Sequence, residues 1–146
     1  MGGLAALLAG AGGPPMPKPY PFEAFVLIAV PNELSGITRK FGDEQNLSAA
    51  GQRDFERRLE KKACRTMPEF TGARLLRETG KPALVIHSRD DDDVPYADAE
   101  VIATACPDAE LLTCDGIGHR VILYTPDIVR AATRYFEQKA NTLNRA

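Results

Sequence analysis

Two segments of this chain carry side chains able to move protons. In the first, the apolar run Leu84-Val85-Ile86 breaks into His87-Ser88-Arg89, and four consecutive aspartates, Asp90 to Asp93, then precede Val94-Pro95. In the second, Glu110 to Cys114 breaks into Asp115-Gly116-Ile117-Gly118-His119. Each reads as a short strand that opens into a polar turn, so a carboxylate and an imidazole are delivered to the carboxyl edge of a sheet, where open α/β folds hold their ligands. An imidazole, whose unperturbed pKa is about 6.5, suits proton exchange at neutral pH. A carboxylate beside it holds the tautomer and stabilises the imidazolium. Taken alone, His119 is a loop histidine that needs no task; the strand and the paired glycines before it are what suggest one.

The same residues admit other chemistry. Clustered carboxylates suit hard cations, but adjacent carboxylates in a turning segment point in different directions, so no metal site is expected at Asp90 to Asp93. Asp90, Asp92 and Asp93 read as solvated, with Asp90 placed to shape the turn. His87, at the end of a strand, reads as a structural hydrogen-bonding residue. Cys64, Cys106 and Cys114 form an odd set without Cys-x-x-Cys spacing; they read as reduced, buried thiols of a cytoplasmic protein rather than as ligands or nucleophiles. No cofactor is expected.

Together these segments resemble the closing part of the α/β-hydrolase family, in which the triad acid follows one strand and the triad histidine the next, in the order nucleophile, acid, base. The family's Asp four residues before Pro falls on Asp91, and its Gly-x-Gly-His loop on Gly116 to His119. The resemblance thus implies Asp91 as acid and His119 as base. Ser88 departs from the family, which has Gly there. No Gly-x-Ser-x-Gly elbow occurs. The opening Met1-Gly2-Gly3-Leu4-Ala5-Ala6 instead looks like the segment just after an elbow serine, so the resemblance implies that the nucleophile lies outside this chain and that Met1 and Gly2 stand beside the oxyanion hole.

The elements that must position these groups fit one α/β domain over residues 1–146. Its expected parts are a helix, loop and strand at 1–32, a helical cap-like insertion at 33–80, and the acid and base strands with a final helix at 81–146. The 146 residues, 44% hydrophobic and 26% charged, suffice for one core. Leu4 to Ala9 reads as a small-residue helix packed on the sheet: it lacks the basic flank of a signal peptide and the length of a membrane span. Gly10 to Pro21, rich in Gly and Pro, reads as a connector. Phe25 to Val30 is a continuous apolar run suited to a strand covered on both faces; with Ala83–His87 and Ala109–Cys114 it is expected to form three parallel strands with helices on both faces.

From Glu33 to Gly80 the chain is polar and helix-prone. Leu47-Ser48 opens an amphipathic helix with Phe55, Leu59 and Ala63 on one side and basic residues around it. This is either a solvated face or a lid, since the family's insertion at this place covers the pocket. A helix is expected over 96–105 with Val101, Ile102 and Ala105 inward. Thr125-Pro126-Asp127 marks the start of a last helix, with Ile128, Ala132, Tyr135 and Phe136 on the sheet and fraying after Lys139.

With 18 basic against 20 acidic residues and a net charge of −2, the chain has no basic stripe, and neither nucleic acid nor membrane is an expected partner. The expected function is an α/β-hydrolase acting on a small ester or related acyl substrate; the alternative is a truncated, non-catalytic product that binds or assembles. Without its neighbour in the family fold, Phe25–Val30 would form an unpaired edge free of charge, Pro and Gly, open to self-association.

Overall fold

The computed structural model describes residues 2–14, 16 and 18–143. Met1, expected beside an oxyanion hole, lies outside them, as do Pro15 and Pro17 of the connector. The strands are β1 (Phe25–Ile28), β2 (Ala83–Ser88) and β3 (Ala109–Cys114). All pair in parallel in the order β1-β2-β3. The helices are α1 (Gly2–Ala11), α2 (Leu34–Glu44), α3 (Ala49–Ala63), α4 (Gly72–Thr79), α5 (Tyr96–Thr104), the single turn α6 (Gly118–Val121) and α7 (Pro126–Leu143).

The sheet is covered on both faces, and its period-2 alternation divides the core accordingly. Phe25, Leu27, Ala83 and Val85 face α1, α4 and α5, packing with Leu4, Leu7, Leu75, Leu76 and Ile102. Leu84 and Ile86 point the other way, toward Ile122 and toward Ile128 and Tyr135 of α7. β2, between two strands and two layers, is buried along its whole length, which is why its sequence is apolar without alternation.

Several boundaries move from their expected places. The apolar run 25–30 leaves the strand after Ile28 because Ala29, whose N–H makes the last bond to β2, adopts a left-handed φ of 49°, which turns the chain out of the sheet. Gly10 and Ala11 complete α1 instead of opening the connector. α7 continues through Lys139 to Leu143. Thr125 precedes α7, but its hydroxyl donates back to the Val121 carbonyl rather than accepting from the new helix. Phe136 is 48% exposed and Val101 47%, whereas Ile128, Tyr135 and Ile102 are buried; each helix turns a narrower stripe inward than its apolar content suggests.

α1 approaches the sheet closely because two of its residues lack side chains. A Cβ on Gly3 would lie 2.2 Å from Val30 Cγ2, and one on Gly10 2.6 Å from Phe25 Cζ. Gly2 faces open space. Gly3→Ala is therefore expected to destabilise the fold by about 1–3 kcal/mol through overpacking, while Gly2→Ala should be neutral or mildly stabilising. Urea unfolding of the two variants checks this: equal midpoints would show that α1 is not seated this tightly.

Candidate active site

The parallel register decides which loops meet. Ser88 pairs with Cys114 at the ends of β2 and β3, so the turns after both strands leave the same edge of the sheet at one level. In the first turn the Asp91 side chain is fully buried. Its Oδ1 accepts from the backbone N–H of Asp93 at 2.9 Å and of Val94 at 2.7 Å, the hydrogen-bonded loop that aspartate forms readily with the backbone two and three residues on. Its Oδ2 lies 2.8 Å from His119 Nδ1.

His119 is 35% exposed at its side chain, and its Nε2 has no hydrogen-bond partner among the described residues. The ring is held more firmly than a glycine-flanked loop suggests. Gly116 and Gly118 occupy φ of 72° and 64°, conformations open to Gly at little cost, and His119 is the second residue of the α6 turn that Gly118 starts. With Asp91 on its Nδ1 side, the Nδ1–H tautomer leaves the Nε2 lone pair outward.

The other residues singled out in the sequence have distinct places. His87 is fully buried, with Nε2 3.1 Å from the Val94 carbonyl and 3.3 Å from Asp91 Oδ2. Its buried Nδ1 has no partner, so its proton belongs on Nε2, where the acceptors are. Asp90 is exposed but is not a solvated spectator: it accepts from Ser88 Oγ and from the Gly116 N–H. These donors, the Ser88 hydroxyl first, hold its carboxyl below the usual carboxylate range. Asp93 is likewise engaged, 2.5 Å from Lys40 Nζ; the ammonium lowers its pKa, and Lys40 is raised in turn. The aspartates after Ser88 thus serve different partners. Cys64 is exposed and Cys106 and Cys114 are half-buried, so the expectation of fully buried thiols does not hold.

A cavity of about 430 Å³ opens beside His119. Its walls come from Ala29, Pro31 and Glu33 after β1, Gly36, Ile37 and Lys40 on α2, and Asp93 to Pro95 with Asp98 after β2. The floor is braced by Asn32, whose N–H donates to Asp98 Oδ2 at 2.9 Å and whose side-chain oxygen accepts from the Ala73 N–H at 3.0 Å. The basic helix α3, expected as a solvated face or a lid, contributes no residue to this wall and buries none fully; α2 supplies the wall instead. Nothing in the spacing of Lys40 sets it apart from the other surface lysines, whereas Pro31-Asn32 did mark the end of an apolar run.

Of the serines Ser35, Ser48 and Ser88, the first donates to Glu33, the second caps α3, and the third is buried against Asp90. Asp91→Ala would orphan two turn N–H groups in a place nearly closed to water. The expected cost is about 3 kcal/mol, measured as a fall in the denaturation midpoint with unchanged slope; a loss below about 1 kcal/mol would mean the turn is not held by this carboxylate.

The sequence model of the TAP-like proteins, a group of α/β-hydrolases, matches residues 52–142. No curated protein matches the chain. Among solved structures, BpoC from Mycobacterium tuberculosis H37Rv is 15% identical with a TM-score of 0.60, over 94% of this chain and 64% of its own. MGS-MChE2, an α/β-hydrolase enzyme from the metagenome of sediments from the lagoon of Mar Chica, Morocco, is 20% identical with a TM-score of 0.61, over 95% of this chain and 58% of its own. The chain therefore spans less than two thirds of the length of these structures, and at such identities the likeness is one of fold. Since the family's sequence model matches residues 52–142, more than half of the chain, the chain belongs to the α/β-hydrolase family, among its TAP-like proteins.

Proposed function

We propose that Asp91 and His119 are the acid and base of a serine-hydrolase triad that acts on a small ester or related acyl substrate, its nucleophile being supplied from outside this chain. The observation that carries this reading is the 2.8 Å contact between a fully buried carboxylate and a half-exposed imidazole beside a cavity. In this reading His119 Nε2 takes the proton of an attacking hydroxyl and returns it to the leaving group, while Asp91 keeps the other ring proton on Nδ1 and stabilises the imidazolium. α2 acts as the cap that shapes the acyl or alcohol side, with Ile37 and Pro31 supplying apolar surface. Gly2 is assigned to the neighbourhood of the oxyanion hole.

Two measurements test this. The chain alone is expected to show no serine-type turnover of an activated ester; turnover abolished by His119→Ala would require another nucleophile here. Carbethoxylation of the two histidines by diethylpyrocarbonate tests the pair directly. His119, with an outward Nε2 lone pair, should react first and buried His87 slowly. Asp91→Asn should slow the His119 reaction roughly tenfold as the tautomer preference is lost, and equal rates would remove Asp91 from its role.

A second reading, a protein that assembles rather than catalyses, is favoured by one feature. Among the described residues no strand pairs with the outer side of β1, and Phe25–Ile28 carries none of the charges or prolines that blunt an edge. At the opposite edge, β3 carries Glu110, paired with Lys139 at 3.8 Å. On this reading β1 mediates self-association. Sedimentation of the chain should then show concentration-dependent oligomers, and hydrogen exchange should show protection of Val26 and Ile28, whose N–H groups alternate with those bonded to β2 and face the open edge, growing with concentration. A monomer at high micromolar concentration in which those amides are already strongly protected would exclude it.

A further inference from the structure

We propose that Ser88 and Asp90 are positioning residues that fasten the loop carrying His119 to the end of β2, from which the turn carrying Asp91 leaves. The inference rests on reading Asp91 and His119 as acid and base. The two glycines before His119 leave that loop with more conformational freedom than any other residues would, so its position must come from fasteners. Asp90 Oδ1 accepts from the Gly116 N–H at 2.8 Å and from the Ser88 hydroxyl. Ser88 Oγ, its one proton given to Asp90, accepts from the Gly118 N–H at 3.3 Å; the Cys114 carbonyl, at 3.4 Å, is the more distant alternative acceptor for that proton. Both glycine N–H groups around Ile117 are thus held by side chains from the end of β2.

The residue between them adds to the same seam. The Arg89 N–H donates to the Cys114 carbonyl at 2.9 Å, and its guanidinium meets both oxygens of Asp115 at 3.1 and 3.0 Å. Arg89 is an exposed pair of low value, but Ser88 is fully buried, so its hydrogen bonds are made away from water. A glycine at position 88 could form neither the bond to Asp90 nor that to Gly118. The side chain there is what converts a flexible loop into a fixed support, with His119 one residue beyond the last fastened amide.

A merely structural role would lower stability without altering the His119 ring, so the test reads the ring. In the ¹⁵N-labelled full chain, ring nitrogen shifts of neutral His119 report the tautomer. Free histidine favours Nε2–H; the wild-type ring should be Nδ1–H, held by Asp91. Asp90→Ala and, independently, Ser88→Gly should each shift the ring toward a mixture. Each should also speed amide exchange at Gly116 and Gly118 roughly tenfold, about one lost hydrogen bond. Asp90→Asn, which keeps an acceptor at Oδ1, should behave as wild type. A pure Nδ1–H tautomer in both Asp90→Ala and Ser88→Gly would overturn the proposal. Asp91→Asn separates this from failure of the underlying reading: if it moves the tautomer while the other two do not, the pair stands and the fasteners fall. If it does not move the tautomer, both fall.

Discussion

The arrangement at the sheet edge depends on a carboxylate that has been taken out of water. An ionised aspartate without partners would cost several kcal/mol at the end of β2, and Asp91 is tolerated there because it is satisfied on both oxygens: two N–H groups of its own turn on one side and His119 on the other. Each partner is then fixed by the demand it meets. The turn cannot rearrange without orphaning two donors, and the imidazole cannot swing away without exposing one face of a buried charge. His87, pressed against the same carboxylate from inside the strand with its proton directed to the Val94 carbonyl, closes the remaining side.

That carboxylate meets the imidazole only because the strands are in register. A slip of β3 by one residue against β2 would send Leu112 to the wrong face and carry the Gly116–His119 loop away from the Asp91 turn. The core on both faces therefore serves the site as well as stability: Leu84 and Ile86 facing α7, and Ala83 and Val85 facing α1, α4 and α5, leave only one alignment that buries everything. Gly3 in α1 contributes at a distance, since the close approach to Val30 sets where the chain leaves β1 and begins the cavity wall.

Much of this was legible in the sequence because it rests on local rules. Short apolar runs that break into Pro-Asn or into an acidic turn marked the three strands, and Pro126 and the small residues of α1 marked helices. Asp91 and His119 came from the resemblance to the α/β-hydrolase motifs, and the structure sets them 2.8 Å apart. The illegible part came from long-range geometry. The end of β1 depended on Ala29 adopting a conformation unusual for a residue with a Cβ. The wall formed by α2 rests on Leu34 and Ile37 packing on the core and on Lys40 meeting Asp93 across 53 positions, contacts that local sequence does not announce. The tasks of Ser88 and Asp90 could not be read from a substitution of one small residue for another, because they lie in bonds to a loop some thirty positions away.

The costs of the structure gather where the cavity lies. Ala29 at positive φ carries a penalty of about 1 kcal/mol, yet its N–H still reaches the Ile86 carbonyl at 2.9 Å and it is buried. It thus keeps the last rung of the sheet while turning the following Pro31 and Asn32 toward the site. Asn32 then replaces regular pairing with bonds to the loops around it: its N–H to Asp98, its carbonyl from Gly72 and its side chain from Ala73. A straighter exit at Ala29 would relieve local strain but would carry Pro31 out of the cavity wall. The strained residue, the buried carboxylate and the side chains that fasten His119 all lie at the carboxyl edge, and the apolar layers behind them supply the stability that lets such an edge persist.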